Sequence, residues 1–424
     1  MKEDFIAYIW KFQSFANKKL SSVQGEQIQV QYAGQENKNS GPDFFNAQLR
    51  IGDQKWAGNV ELHVKSSDWY VHGHEKDENY DAVILHVVWE HDVNIYRKDK
   101  ALIPTLELKT YVNKEVQHNY QKLFIGSRKW INCENNIGII DHFLLDNWLE
   151  RLYIERLEQK AKLINQLLIS SKNDWESVLF KLLAKNFGLK INGDVFFDWA
   201  NRLDFSIIKR QQYDLESLEA LFFGQANLLN DTVEDSYYLH LQKEYDYIKS
   251  KFRLIDRLGE RFQFFRLRPN NFPTIRLAQL AALYNQHQNL FSKLIETTQL
   301  KDFYSIFDIS VSTYWKTHYS FTATSKKSTK KITKNFVDLL LINTIIPLKF
   351  IYLKQLGKLN VEELLQMTRE IKSEKNTIID KFNDLKISSK NALESQALIQ
   401  LKNEYCSKQL CLQCSIGNTL INYG

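Results

Sequence analysis

The spacing of apolar residues changes once along this 424-residue chain, near residue 140. Before that point apolar and polar residues alternate over short stretches, as in strands; beyond it apolar residues recur every three to four positions, as in helices. The chain contains only 15 Gly and 5 Pro, few turn residues for a many-stranded sandwich. We therefore predict an α+β protein, with a small mixed-sheet domain over residues 1–135 and a large all-helical region over residues 136–424.

The first domain is predicted to contain one helix and a small antiparallel meander, followed by a buried strand. The helix is expected over residues 4–16, and a Gly52-Asp53 turn joins two of the strands. The almost continuous apolar run at 82–89 is typical of a central strand that is covered on both faces. Strands are expected at 27–32, 47–51, 56–65, 82–89 and 103–108.

The helical region has few breakers, which we place at Gly193-Asp194, at residues 269–273 and at Pro347. No apolar run reaches the ~18 residues that a membrane span requires. With only four cysteines there is no disulfide framework, so we expect a cytoplasmic protein without a membrane partner. The clearest helical segments are 142–170, 175–186, 215–229, 237–258, 277–298, 335–355 and 361–382.

Charge and histidine are distributed unequally. Residues 1–140 hold 17 Lys+Arg and 18 Asp+Glu, whereas the remainder holds 39 and 32. The basic surplus of the second part is compatible with a polyanionic partner but is too mild to identify one. Five of the 10 histidines fall within thirty residues of the first part, where they indicate local chemistry: His63, His72, His74, His86 and His91.

An acidic pair accompanies these histidines. Asp43 stands at the start of the second predicted meander strand, and Glu61 lies eighteen residues later in the third. Glu61, His63 and Lys65 share one face of that strand, because side chains at i, i+2 and i+4 point the same way. If the hairpin brings Asp43 alongside, two carboxylates converge with an imidazole and an ammonium. Carboxylate oxygens suit Mg²⁺ or Mn²⁺, which can activate water for phosphodiester hydrolysis.

Over about residues 1–110 the chain resembles the PD-(D/E)xK nuclease superfamily. The resemblance lies in the order of the elements: a helix, a three-stranded meander, a short helix and an apolar strand. Within the meander, Pro-Asp precedes the second strand and Glu-x-His lies in the third. This resemblance implies a restriction-endonuclease-like fold. It makes Asp43 and Glu61 the metal-binding acids, with the Leu62 carbonyl as a third ligand. His63 occupies the position that usually holds Lys, and Lys65 is the substitute cation.

The helix after the third strand contributes polar groups in that superfamily, which implies that His72 or Asp77 extends the site. A rival interpretation takes His72-Gly73-His74 with Asp77 as a dinuclear metal site of another hydrolase, because His-x-His near an aspartate is a familiar ligand pattern. The central histidine of the apolar strand, His86, is expected to be a core residue that could share the sheet face of Glu61.

Five segments along the chain resemble an uncharacterised bacterial family called domain of unknown function 2851. They are GPDFFNAQLRI, GNVELHVKSSDW, HGHEKDENYDAVILHVV, RPNNFPTIRLAQLA and the cysteine-containing C-terminus. This second resemblance implies no activity, so the nuclease prediction depends on the acidic motif.

Four cysteines are predicted to form a second metal site. Three lie close together near the C-terminus, and Cys133 follows the first domain. The Cys-x2-Cys spacing lets two thiolates bind one metal, and Cys133 would provide a distant fourth ligand. Zn²⁺ and a [4Fe-4S] cluster fit equally well, and the alternatives are a redox-active pair or plain buried thiols. The three C-terminal members are Cys406, Cys411 and Cys414.

Three arginines surround the Pro-rich turn before residue 277. Arg266, Arg268 and Arg276 are candidate phosphate contacts, or alternatively partners of nearby carboxylates in a rigid elbow. The leading hypothesis is a metal-dependent endonuclease or exonuclease beside a nucleic-acid-binding or regulatory helical region, with DNA favoured over RNA as its substrate. The alternative is a non-catalytic nucleic-acid or protein interaction module whose metal site is structural.

Overall fold

The computed structural model describes residues 1–15, 19–124, 129–255, 261–321 and 323–423. By its internal contacts the chain divides into two compact units. The first comprises residues 1–148, 385–387 and 401–424; the second comprises 149–384 and 388–400. The α+β prediction is confirmed, because a mixed sheet near the N-terminus precedes a large helical region. Unlike the predicted division at residue 135, this one groups the last 24 residues with the sheet.

A seven-stranded mixed sheet organises the first unit, in the order β1-β2-β4-β5-β6-β7 with β3 paired to β4. The meander β2, β4 and β5 is antiparallel, and β5, β6 and β7 run parallel. The Val23 amide donates to the Thr105 carbonyl at 2.7 Å, which brings the two ends of the sheet together. The strands are β1 (Leu20–Ser21), β2 (Gln27–Tyr32), β3 (Gln35–Glu36), β4 (Phe44–Ile51), β5 (Gln54–Lys65), β6 (Val83–Glu90) and β7 (Thr105–Glu107).

Helix α1 (Glu3–Phe12) packs against β5 and β6 through an apolar face. Phe5, Ile9 and Trp10 are fully buried there, and the Trp10 indole donates to the Ala33 carbonyl at 3.0 Å. Seven of the eight β6 residues are buried, which confirms the expected central strand. The other helices of this unit are α2 (Asp68–Val71), α3 (Lys114–Phe124) and α18 (Ser415–Tyr423).

The second unit is built of helices, apart from the small hairpin β8 (His318–Ser320) and β9 (Ala323–Thr324). The unit boundary falls within α4 (His142–Ser170), whose bounds match the prediction. The remaining helices are α5 (Trp175–Phe187), α6 (Leu189–Arg202), α7 (Phe205–Gln211), α8 (Leu215–Gln225), α9 (Ser236–Phe252), α10 (Pro273–Gln286), α11 (Leu290–Glu296), α12 (Leu300–Ile306), α13 (Lys334–Leu340), α14 (Ile346–Gln355), α15 (Val361–Glu370), α16 (Thr377–Asp384) and α17 (Ala392–Gln400).

Two predicted helices are each divided in the structure by contacts distant in sequence. The segment 277–298 is interrupted at His287, where the backbone is extended and the ring Nε2 lies 2.8 Å from the Ile306 carbonyl oxygen. The segment 361–382 is interrupted after α15, where the Ala392 amide donates to the Ile371 carbonyl at 2.9 Å. The helical periodicity of the sequence does not predict contacts between distant residues, so it did not predict these two breaks.

The predicted break at Gly193-Asp194 is wrong, because both residues lie inside α6. Burial of Val195, Phe196 and Trp199 on that helix outweighs the low helix propensity of glycine. The predicted helix 215–229 ends earlier, at Gln225. The predicted helix 237–258 is observed to Phe252, and its last three residues lie outside the described residues.

The segment Lys334–Gln355 is long and apolar enough to cross a membrane by length and composition. Within the structure 72% of its most apolar window is buried. Side chains such as Leu340, Leu341 and Ile346 are fully covered. This is the pattern of a core helix, as the sequence predicts for 335–355.

The carboxylate of Glu219 on α8 is fully buried in the second unit. Its Oε2 accepts hydrogen bonds from the Tyr237 hydroxyl, from Ser312 Oγ at 3.2 Å and from Trp315 Nε1 at 3.3 Å. Burial raises the pKa of Glu219 to about 7, although these three donors lower it. The folded protein therefore keeps a proton that the unfolded chain releases at lower pH.

We expect Glu219→Gln to flatten the pH dependence of stability. Because the folded-state pKa lies above the unfolded value of 4.5, stability falls as pH rises from about 4.5 to 7, by at most about 3 kcal/mol. Glutamine does not titrate and keeps one acceptor oxygen. Urea denaturation at pH 5 and pH 8 measures the effect, with the exposed Glu296→Gln on α11 as control. An unchanged pH slope in Glu219→Gln contradicts this account.

Candidate active site

Asp43 and Glu61 lie together where β4 begins beside β5. The Asp43 amide donates to Glu61 Oε2 at 3.1 Å, and the Leu62 amide donates to Asp43 Oδ2 at 2.9 Å. Each carboxylate therefore accepts a backbone hydrogen bond from the other's strand. Glu61 is buried and Asp43 is half-buried, so the pair is partly withdrawn from water.

The turn before β4 holds Asp43 in place. The Asn37 side-chain amide donates to three carbonyls of residues 39–42 at 3.1–3.2 Å, and the Asn37 backbone amide donates to the Asp43 carbonyl at 2.7 Å. The pairing of β4 with β5 then shifts register between Phe44 and Ala47, where Asn46 adopts a φ of 57°. Such bulges commonly redirect side chains next to active sites.

Three histidines lie near the Glu61 carboxylate. His63 Nε2 lies 3.0 Å from His72 Nδ1, and His74 Nε2 lies 3.3 Å from Glu61 Oε1. Among the described residues, His63, His72 and His74 form a group whose ligand atoms all lie within 4.8 Å of one another. Gly73 between the last two has a φ of 71°, a left-handed conformation that favours glycine. This turn lets both neighbouring rings reach His63.

A fourth histidine continues the chain of rings inward. His63 Nδ1 lies 2.8 Å from His86 Nε2, because the parallel register of β5 and β6 sets His86 beside Glu61, two residues before His63. His63 thus has one ring nitrogen toward the core and the other toward the exposed His72. The expectation that His86 shares a sheet face with Glu61 is met, since it joins this cluster.

Burial and like charges perturb the titration of the site. Burial, and then the Glu61 charge, raise the pKa of Asp43 to about 7. Burial, followed by His74 and His72, lowers the pKa of His63 to about 3. Burial lowers the pKa of His86 as well. The lowered pKa values keep His63 and His86 neutral, which is the protonation state that a metal ion needs from histidine ligands.

Two buried ring nitrogens, His74 Nε2 and His86 Nδ1, have no hydrogen-bond partner among the described residues. An unpaired buried polar atom is costly unless it has a ligand to bind. His74 Nε2 faces the Glu61 carboxylate in a geometry too poor for a hydrogen bond. A divalent cation bound between such nitrogen and oxygen donors would satisfy the nitrogen and offset the repulsion between Asp43 and Glu61. Imidazole nitrogens and carboxylate oxygens are ligand types that divalent metal ions accept.

Two aromatic side chains pack against the histidine rings. Tyr80 stacks on His74 with ring centroids 3.8 Å apart, and the buried Trp69 contacts His74 and His86 at 5.4 and 5.7 Å between centroids. Burial, then the charges of Glu61 and Asp43, raise the pKa of Tyr80 to about 12. Trp69 and Tyr80 form a core cluster with Val83, Ile95 and Ile103.

Four of the six predicted catalytic residues are brought together: Asp43, Glu61, His63 and His72. Lys65 is exposed at the end of β5, where its amide donates to Asp68 Oδ2 at 2.9 Å. Asp77 caps a short 3-10 turn by accepting the Asn79 amide at 2.9 Å. The catalytic roles of Lys65 and Asp77 remain predictions.

The sequence did not identify Glu3 as a site residue. It indicated His74 only within the alternative dinuclear metal site. Glu3, in the first turn of α1, lies close enough for His72 and Glu61 to affect its pKa, which burial raises. An acidic residue opening a helix that packs on the sheet was the available signal. For His74 the signal was the His-x-His spacing itself.

The predicted arginines differ in exposure. The Arg276 guanidinium is buried, donates to Gln279 Oε1 at 2.9 Å and to Asn271 Oδ1 at 2.7 Å, and lies 3.8 Å from the Phe336 ring centroid. Arg276 therefore acts in internal packing rather than as an exposed phosphate contact. Arg266 and Arg268 are exposed, and their predicted nucleic-acid contact remains a prediction.

All four cysteines are free thiols that line one cavity in the first unit. Burial raises the pKa of Cys133 to about 12 and of Cys414 to about 11, and it raises those of Cys406 and Cys411 as well. Reactive cysteines have lowered pKa values, so these thiols do not resemble a redox-active pair.

Comparisons with known proteins identify the chain at the level of a family. No curated protein and no solved structure matches it, and the likeness to PD-(D/E)xK nucleases stays a prediction. The family model covers both acids, all four site histidines and Cys133, but not the three C-terminal cysteines. This model, described as Protein of unknown function (DUF2851), matches residues 3–377, and the chain therefore belongs to that family.

Proposed function

We propose that the protein is a metal-dependent nuclease whose active site comprises Asp43, Glu61, His63, His72 and His74. One observation carries the proposal: two carboxylates joined by reciprocal backbone hydrogen bonds lie beside a buried imidazole nitrogen that has no hydrogen-bond partner among the described residues. A carboxyl group with a raised pKa, such as Asp43, beside histidines with lowered pKa values, such as His63 and His86, is typical of functional sites.

The order of elements adds support to the nuclease assignment. Helix α1, the meander β2-β4-β5, helix α2 and the buried strand β6 follow one another as the resemblance implies. Asp43 precedes the second meander strand and Glu61 lies in the third. The exposed Lys65 at the end of that strand is compatible with an anionic substrate.

The side chains suggest a division of roles. Asp43 and Glu61 would hold a divalent cation through carboxylate oxygens, and His74 would add a nitrogen donor, whereas both ring nitrogens of His63 face other histidines. The bound cation supplies Lewis-acid activation of water and neutralisation of phosphate charge. His72 is exposed and joined through Nδ1 to His63 Nε2 at 3.0 Å, so it can accept the proton of the attacking water at its outer ring nitrogen.

The mixed donor set favours Mn²⁺ over Mg²⁺. Mg²⁺ prefers an all-oxygen octahedron, whereas imidazole ligands suit transition metals. The sequence could not make this distinction, because it did not place His74 3.3 Å from Glu61.

The test is an assay of purified protein on single- and double-stranded DNA and RNA with Mn²⁺, Mg²⁺ or EDTA. We expect cleavage with Mn²⁺, slower cleavage with Mg²⁺ and none in EDTA. Glu61→Gln should be inactive with both metals. A wild-type protein that binds these nucleic acids without cleaving any of them would instead support a non-catalytic interaction module.

A further inference from the structure

We propose that Cys133, Cys406, Cys411 and Cys414 bind one [4Fe-4S] cluster. This inference concerns the first unit only and does not depend on the nuclease proposal. It rests on the convergence of four distant thiols, on the spacing of their sulfur atoms and on the groups that surround them.

The four cysteines reach one cavity from separate segments. Cys133 lies in a turn whose carbonyl accepts the amides of Asn136 and Ile137 at 2.9 and 2.8 Å. Cys406 ends a π-helical turn, Cys411 begins a 3-10 turn, and Cys414 precedes α18. Such convergence across more than 270 residues exceeds what isolated buried thiols require.

The sulfur spacing distinguishes the cluster from a single zinc ion. Around one zinc ion the four sulfurs lie about 3.8 Å apart, because each Zn–S bond is about 2.3 Å long. The described cysteines form no group of three whose sulfurs all lie within 4.8 Å of one another. Between the sulfurs lies a void about the size of one water molecule. In a cubane cluster each cysteine binds a different iron, so the sulfurs stand farther apart.

Hydrogen-bond donors surround two of the sulfurs. The side-chain amide nitrogen of Asn132 lies 3.4 Å from Cys411 Sγ. The backbone amides of Ile416 and Gly417, at the start of α18, donate to the Cys414 sulfur. Donors of this kind stabilise thiolate charge and tune cluster potentials. Apolar side chains complete the wall of the cavity: Leu401, Tyr405 and Ile416.

A glycine fixes the C-terminal pair of cysteines. A Cβ atom on Gly417 would lie 2.1 Å from the Cys411 carbonyl oxygen, so α18 can approach the Cys411 turn this closely only with glycine there. The Asn418 amide also donates to the Cys414 carbonyl at 2.8 Å. The turn and the helix thus hold Cys411 and Cys414 in one arrangement.

The experiment is metal and sulfide analysis of the full-length protein, produced with added iron and purified without oxygen. We expect about four iron atoms and four acid-labile sulfides per chain, with a broad visible absorbance that dithionite bleaches. Protein that is isolated metal-free is reconstituted anaerobically with ferrous iron and sulfide. Stoichiometric zinc without sulfide, or a chain that stays colourless after reconstitution, overturns the proposal.

Variants separate ligation from general stability. Cys411→Ser should lose at least half of the iron, whereas Ser407→Ala, an exposed neighbour of Cys406, should keep all of it. Circular dichroism checks that each variant folds. If Cys411→Ser does not fold, the iron and sulfide content of the wild-type protein decides whether the cluster is present. Glu61→Gln should retain the full cluster, so failure of the nuclease proposal and failure of this one are distinguishable.

Discussion

Replacing Asp43 by asparagine is expected to abolish metal-dependent hydrolysis while raising the stability of the metal-free protein. Loss of a residue that only hydrogen-bonds to a metal ligand lowers activity about 10- to 100-fold. Loss of a ligand itself costs more, so activity should fall by more than about 10²-fold. The gain in stability follows from the pKa of Asp43. Since its folded-state pKa of about 7 lies above the ordinary 3.8, folded stability falls as pH rises between those values.

The size of the stability change can be bounded. The raised pKa corresponds to at most about 4 kcal/mol at pH 8, and the lost charge-assisted hydrogen bond from the Leu62 amide offsets about 1 kcal/mol or more. We expect Asp43→Asn to be more stable by about 1–3 kcal/mol in EDTA at pH 8. Urea denaturation measures this difference, with Asp53→Asn in the exposed β4–β5 turn as the matched control. Lower stability of Asp43→Asn would indicate that the carboxylate serves the fold rather than a ligand.

Truncation of Trp69 should have the largest effect on stability near the site. Its ring is 1% exposed, and a Trp→Ala cavity costs about 3–5 kcal/mol. The Trp69 indole nitrogen has no hydrogen-bond partner among the described residues, so Trp69→Phe breaks no hydrogen bond of that nitrogen. We expect this variant to lose less than about 1.5 kcal/mol of stability. The alanine variant should also bind Mn²⁺ about 10- to 100-fold more weakly, because the rings of His74 and His86 lose their support.

Denaturation and metal titration of the two Trp69 variants test this difference directly. The half-exposed Trp56→Ala serves as control and should cost about 1 kcal/mol or less. Equal stability and equal metal affinity for Trp69→Ala and Trp69→Phe would contradict the supporting role of the ring.

Local pattern predicted much of the first unit. The strand Gln27–Tyr32, the Gly52-Asp53 turn and the buried strand over residues 82–89 follow from alternation and turn chemistry. The convergence of Asp43 with Glu61 also followed, because an antiparallel hairpin fixes which residues face one another.

The rest of the site depends on contacts that periodicity does not encode. The pairing of His63 with His86 requires the parallel register of β5 and β6, which no local motif specifies. His74 enters through a 3-10 turn after Gly73, where the polar sequence shows no regular period. The division of one predicted helix at His287 likewise depends on a bond to Ile306, nineteen residues away.

Mn²⁺ titration of metal-free protein, followed by electron paramagnetic resonance of the free ion, tests directly whether Asp43 and Glu61 form the proposed divalent metal site. We expect one Mn²⁺ bound per wild-type chain, no binding at this site in Asp43→Asn or Glu61→Gln, and unchanged binding in Asp53→Asn. Equal Mn²⁺ binding by wild type and both site variants, or no binding by wild type, would rule out a metal site at these two acids.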